Sequence, residues 1–221
     1  MTRALALAAA SAVVLSASAR GQSADPAARP IRFGIAGGVA IPAGDFKTGG
    51  DAAALKRDFK QGVAGQGYVE FRAPGTPLGF RAGVSFNRFK ASDATFTSTG
   101  PTGTPRTTTL TGDYSQVLAG LANVTLQLPT GPIRPYAIAG IGAFELKNTA
   151  AVQITPGAGV IAAPDESTTS FGIDGGAGVL LRLGGIEAFA EARLANVYTK
   201  QDKFANLKTV QFVPITFGLS F

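Results

Sequence analysis

Carboxylates stand inside alternating apolar stretches rather than in polar segments, and four of them, Glu70, Asp174, Glu187 and Glu191, fall on faces that also carry arginines. A pair of such groups could activate water, one member taking a proton while the other gives one up. Arginines share the same strand faces in comparable number, namely Arg32, Arg72, Arg81, Arg182 and Arg193. A guanidinium beside each carboxylate makes ion pairing the simpler reading. The chain contains no histidine to serve as a base near neutral pH, and no cysteine for a thiolate site or a disulfide. A serine with a lysine base is conceivable, but no lysine falls on that face at mid-strand. Gly140-Ile-Gly142 and Gly175-Gly176-Ala-Gly178 are not phosphate loops, because no Gly-Lys-Ser or Gly-Lys-Thr follows. Glycine inside a strand instead marks close packing. The sequence therefore calls for no cofactor, no metal and no catalytic residue.

The elements that position these charges follow from composition and period. The chain has 221 residues, 45% of them hydrophobic and 15% charged, with mean hydropathy +0.20, 29 glycines and 13 prolines. These values exclude a disordered chain, and no run of 18 apolar residues exists beyond the N-terminus, which disfavours a helical membrane protein. The net charge of +6 is scattered, without a basic helix or interleaved aromatics, so nucleic acid is not expected as a partner. Arg3 precedes a small-apolar run from Ala4 to Ala17, and Ala17-Ser18-Ala19 has the small residues a signal peptidase accepts. Residues 1–19 read as a cleaved signal peptide, residues 20–29 as a short lead-in, and residues 30–221 as one domain.

Within that domain the period is two. Eight stretches alternate: 31–41, 63–72, 78–88, 114–128, 134–147, 168–183, 186–198 and the terminal Val213-Pro-Ile-Thr-Phe-Gly-Leu-Ser-Phe221. In each, one face is apolar and the other is small or polar. Tyr136, Ile138, Phe144 and Leu146 are assigned to the apolar face of the fifth. Connections alternate between long ones (42–62, 89–113, 148–167, 199–208) and tight ones (73–77, 129–132, 184–185). The first long connection offers two helical turns over 52–59, with Leu55 above Phe59. If Gly184-Gly185 is a two-residue turn, Leu183 faces Ile186. Arg182 then lies opposite Glu187, Glu191 opposite Gly178, and Arg193 opposite Gly176.

The closing stretch, with Ile215, Phe217, Leu219 and Phe221 at alternate positions, resembles the last strand of bacterial outer-membrane β-barrels. In that family a terminal Phe with this spacing is the signal read by the barrel-assembly machinery. The Arg134-Pro-Tyr-Ala-Ile-Ala-Gly-Ile-Gly142 stretch is similar to a recurring strand of the small barrels of the family, including the OmpA, OmpX and OmpW types. The resemblance implies an all-β, eight-stranded antiparallel up-and-down transmembrane barrel in the cell outer membrane. Short turns would face the periplasm and long loops the exterior. Phe33, Phe71, Phe80, Tyr136 and Phe221 would then form one aromatic girdle, and Phe86, Tyr114, Phe144, Phe171 and Tyr198 the other. A soluble lipocalin-like barrel is disfavoured, because the second face is too rich in Gly, Ala, Ser and Thr for a solvated exterior.

On that frame the nine charged residues from Arg32 to Arg193 named above are expected to form a lumen network that plugs the short-turn half of the barrel. Each long mid-barrel charge is expected to lean over a glycine. The implied role is structural or interactive through the loops, without enzymatic activity. A narrow porin-like channel is the alternative. A lipid-modifying enzyme is third, since such barrels resemble one another in relying on a histidine. Outer-membrane lipid and the assembly machinery are the expected partners of a monomer. Lipopolysaccharide phosphates are a further candidate for the loop cations Lys56, Arg57, Lys60, Arg88, Lys90, Lys147, Lys200, Lys203 and Lys208, against simple solvation among neighbouring aspartates.

Overall fold

Alternation over long stretches, broken by Gly and Pro, yields strands throughout the computed structural model, which describes residues 30–48, 58–99, 103, 105–128, 131–155, 158–162, 166–199 and 208–221. The expected signal peptide and lead-in lie outside these residues. In chain order the elements are β1 (Ile31–Ala43), a short helix α1 (Gly44–Thr48), β2 (Gly62–Arg72), β3 (Leu78–Lys90), β4 (Ala94–Thr99) and β5 (Pro105–Gln127). After them come β6 (Ile133–Thr155), β7 (Ala158–Ala162), β8 (Glu166–Leu183), β9 (Ile186–Tyr198) and β10 (Thr209–Ser220). Eight of the strands pair antiparallel in the cycle β5-β3-β2-β1-β10-β9-β8-β6, and β6 returns to β5 to close the barrel. Closure leaves no backbone edge where the strands cross lipid. The seam between first and last strands runs to the final residue, with Phe33 and Phe221 exchanging N–H···O bonds of 3.2 and 2.8 Å.

The turn at Gly184-Gly185 sets the register of β8 and β9 as its length demands. Leu183 faces Ile186, Arg182 faces Glu187, Gly178 faces Glu191 and Gly176 faces Arg193. Gly184 has φ of 69°, the left-handed geometry that such a turn requires. Outside the barrel lies a belt of large apolar side chains, among them Ile35, Val69, Phe80, Val84, Leu118, Ile141, Ile173, Leu194 and Phe217, each at least two-fifths exposed. Phe33, Phe71, Phe80 and Phe221 stand exposed toward the short-turn end, and Phe86, Phe171 and Tyr198 toward the other. No described helix is long and apolar enough to cross a membrane; this chain crosses with strands.

Three expectations are corrected. The face assigned to the fifth stretch is reversed: Tyr136, Ile138, Phe144 and Leu146 are all buried in the lumen, so Tyr136 and Phe144 belong to no girdle. The outward residues of β6 at mid-strand are Ala137, Ala139, Ile141 and Ala143, a weaker apolar row than the inward one. Neighbouring strands decide the matter, since Tyr136 pairs with Gly178 and Gly140 with the lumen residue Asp174. Second, the long connections contain strands. β5 and β6 run on for 23 residues each, and β4 and β7 fold back onto their projecting ends. Third, the helix after β1 lies at Gly44–Thr48, while Phe59, expected to end a helix over 52–59, forms a β-bridge with Ala91. Residues 52–57 lie outside the described residues.

Candidate functional site in the barrel lumen

Inward-facing positions on eight strands converge, and their chemistry changes with depth. The lower half is charged. Glu70 on β2 receives Arg72 at 2.8 Å on one oxygen and Arg81 of β3 at 2.9 Å on the other. Arg81 reaches on to Glu191 of β9 at 2.7 Å, Glu191 meets Arg193 at 3.1 Å, and Arg193 meets Asp174 of β8 at 3.0 Å. Asn123 of β5 closes the row, its amide donating to both oxygens of Asp174 at 2.8 and 3.0 Å. Opposite charges thus alternate continuously from Arg72 to Asp174 across the interior. Nearer the short turns is a separate group, in which Glu187 accepts from Arg32 at 2.8 Å and from Arg134 at 3.4 Å.

Among the described residues Glu70 is held by Arg72 and Arg81 alone, whereas Glu191 meets more partner residues. Besides two arginines it accepts from the Tyr136 hydroxyl at 2.7 Å and the Gln66 amide at 3.0 Å. Gln66 also donates to Thr216 at 2.9 Å and accepts from Arg193. Three of these contacts are hydrogen bonds and the fourth is the ion pair with Arg193, so both carboxylate oxygens face donors. The Arg81 guanidinium carbon lies over the Tyr68 ring, 3.8 Å from its centroid, and 5.5 Å from the centroid of the Tyr136 ring. A planar cation with an aromatic face and two carboxylates around it keeps little freedom.

The glycines serve a different purpose from the one expected. Gly178 does not leave a space into which Glu191 leans: the Tyr136 ring covers it, and a Cβ there would collide with that ring. Gly34 is covered by Tyr68 in the same way. The two glycines let the tyrosines lie flat against the wall, where one supports Arg81 and the other both supports Arg81 and donates to Glu191.

Of the nine charges predicted for the lumen network, Arg32, Glu70, Arg72, Arg81, Asp174, Glu187, Glu191 and Arg193 are buried and joined as described. Arg182 stands opposite Glu187 in register but is only partly buried, and the ion pairs described for Glu187 go to Arg32 and Arg134. Gln66, Tyr68 and Asn123 fall on the polar face that the sequence reading turns inward, though it does not name them to the network, and Arg134 and Tyr136 escape it. Parity places the first three, whereas on β6 only pairing with β8, Tyr136 against Gly178 and Gly140 against Asp174, shows which face is inward. Ile215, Phe217, Leu219 and Phe221 lie on the outer face of β10 or just beyond its end.

The upper half of the lumen is mainly apolar, with Asn87 and Ser115 as buried polar exceptions, which the sequence reading does not anticipate. Phe46, Phe89, Val117, Phe144, Leu146, Val197, Val210 and Phe212 are all essentially inaccessible and form one cluster. α1 drops Phe46 into it, stacked on Phe59 at 4.6 Å and edge-on to Phe89 at 5.1 Å, and Phe89 meets Phe212 at 5.5 Å. Between plug and charges lies a void of about 10 Å³ bordered by Ser85, Asp174, Arg193 and Phe212, room for roughly one water. Among the described residues no group of three His, Cys, Asp or Glu is placed to hold a metal ion.

The sequence matches the model of a family described as "Outer membrane protein beta-barrel domain" over residues 5–221. No curated protein matches it. Among solved structures, a major outer membrane protein from Thermus thermophilus is similar at 15% identity and TM-score 0.54, covering 87% of this chain and 99% of that one. Neisserial surface protein A is similar at 16% identity and TM-score 0.51, covering 87% and 96%. Ail of Yersinia pestis is more distant, at 13% identity and TM-score 0.39, covering 86% and 96%.

Proposed function

The chain belongs to the outer membrane protein beta-barrel domain family, and from that premise we propose that it is a sealed, non-enzymatic barrel acting through its extracellular segments. It is an integral protein of the cell outer membrane. One observation carries the finer reading: β5 and β6 are more than twice as long as a spanning strand needs to be. A strand crosses the lipid belt in about 9–11 residues, whereas each of these has 23. Their outer halves, with β4 and β7, make a four-stranded sheet beyond the belt in which β4 and β7 each pair on one side only among the described residues. A free edge offers backbone N–H and C=O groups to an extended segment of a protein partner. The exposed Thr95, Thr97 and Thr99 on β4 add side-chain hydroxyls.

The sealed lumen supports the same reading over the channel alternative. Liposomes containing the purified barrel should take up small sugars and amino acids no faster than empty ones. Uptake at porin-like rates would replace this function with a pore. Incubation with phospholipid or lipopolysaccharide vesicles should release no fatty acid, and release would revive the enzyme reading. At the outer rim, Arg88 stacks on Tyr114 at 3.9 Å and Lys90 is exposed on the same face, which suits contact with lipopolysaccharide phosphates.

Phe221 closes the seam with Phe33 and faces lipid, and with Ile215, Phe217 and Leu219 it is proposed as the segment read by the assembly machinery. Phe221→Asp should reduce the amount of barrel in the outer membrane about tenfold, since a carboxylate near the lipid interface costs on the order of 1 kcal/mol before any loss of recognition. Ser220→Asp, pointing into the lumen, should reduce it less. Equal levels of the two variants would refute the assignment.

A further inference from the structure

In the ion pairs named above, arginines outnumber carboxylates. Five arginines (Arg32, Arg72, Arg81, Arg134 and Arg193) share four carboxylates (Glu70, Asp174, Glu187 and Glu191) in these ion pairs. The shortfall sits at the periplasmic mouth, where Glu187 answers both Arg32 and Arg134, the second at a loose 3.4 Å. Arg32 is only 4% exposed, and its Nε has no hydrogen-bond partner. Arg72, by contrast, is fully engaged, with Glu70, Thr125 and the Pro77 carbonyl.

Arg32, Arg72 and Arg134 border a cavity of about 570 Å³ that opens across the rim between the turn at 73–77 and the residues Leu128 and Gly131. Arg32 and Arg134 reach it from β1 and β6, strands on opposite sides of the barrel. Gln127 lines it too, with a buried Oε1 that lacks a partner, and exchanging the ends of that amide would present a donor. Leu126 and Leu128, half exposed on the lipid face, form the outer wall.

We propose that this mouth seats a phosphate-class anion, held between Arg32 and Arg134 with Gln127 beside it. A tetrahedral oxyanion presents oxygens in diverging directions and can meet guanidinium groups from opposite walls at once, which a planar carboxylate does less well. The cavity has the size of a small-molecule site rather than a single-ion site. A phospholipid headgroup fits it, with acyl chains continuing along Leu126 and Leu128, and free phosphate offers the same chemistry.

The test uses the purified barrel in nonionic micelles with equimolar phosphatidylglycerol and phosphatidylcholine, read by native mass spectrometry, and a separate calorimetric titration with inorganic phosphate. Phosphatidylglycerol should be retained about tenfold over phosphatidylcholine. Arg134→Gln and Arg32→Gln should each abolish that preference, while Lys47→Gln, exposed on α1 at the other end of the barrel, should not. The folded state of each variant is checked by its gel mobility without heating, so that loss of binding is separated from loss of fold. Phosphate binding without lipid preference would assign the seat to a soluble anion, and displacement of phosphatidylglycerol by phosphate would assign it to the headgroup; either supports the site. No binding of either probe, binding unaffected by Arg134→Gln, or acetate competing as well as phosphate would overturn it.

Discussion

Glu191→Ala is expected to destabilise the folded barrel by about 3–5 kcal/mol, the range for breaking a buried, hydrogen-bonded ion pair on one side only. The carboxylate is fully buried and central to the alternating row, receiving Arg81 at 2.7 Å, Arg193 at 3.1 Å and the Tyr136 hydroxyl at 2.7 Å. Its loss leaves Arg81 with only Glu70 and Arg193 with only Asp174 and Gln66. Urea unfolding in micelles, followed by the gel shift between folded and unfolded barrel, measures the change. Glu191→Gln keeps an acceptor of the same shape and should lose less. The double variant Arg81→Leu/Glu191→Leu should lose less than the sum of its single changes, because neither buried charge is then left facing the other's vacancy. A loss below about 1 kcal/mol for Glu191→Ala would mean that the row behaves as an exposed ion pair and does not hold the wall together.

How much of this is legible before any coordinates depends on which constraint governs each residue. A two-residue turn leaves no freedom of register, so Gly184-Gly185 places Arg182 against Glu187 and Arg193 against Gly176 from the sequence alone. Parity with a clear contrast between faces is equally readable on β2, β3 and β9. It fails on β6, where both faces are apolar and size alone points the larger side chains at lipid. A narrow barrel needs large residues inside to fill it, and only pairing with Gly178 and Asp174 reveals that Tyr136 and Ile138 are among them.

The Thr-rich stretch before Tyr114 reads as a loop because Gly and Pro flank it, yet threonine is a good strand former, and Thr107–Thr111 extend β5. The apolar plug is hidden for a related reason. Phe89 lies eight residues beyond Arg81 and Val197 six beyond Glu191, on the same faces, but an apolar side chain on a lumen face removes the contrast from which alternation is read.

That plug sets the last expectation. Phe212→Ala should cost about 3–5 kcal/mol, since it removes a buried ring packed edge-on against Phe89 at 5.5 Å and leaves a cavity that rigid strand walls cannot collapse around. Even so, planar bilayers containing this variant should stay silent. On the proposed reading the lumen has two seals in series. The upper one is a cluster of aromatic and aliphatic side chains that excludes ions because it does not hydrate. The lower one is a row of arginines and carboxylates whose side chains meet across the bore. Opening one leaves the other in place, so Glu191→Ala alone should also be silent, and conductance should require both changes together. Steady channels from Phe212→Ala alone would show that ions pass the charged row, making the apolar cluster the barrel's real closure. Steady channels from Glu191→Ala alone would reverse the assignment, placing the closure at the arginines and leaving the aromatic cluster as packing.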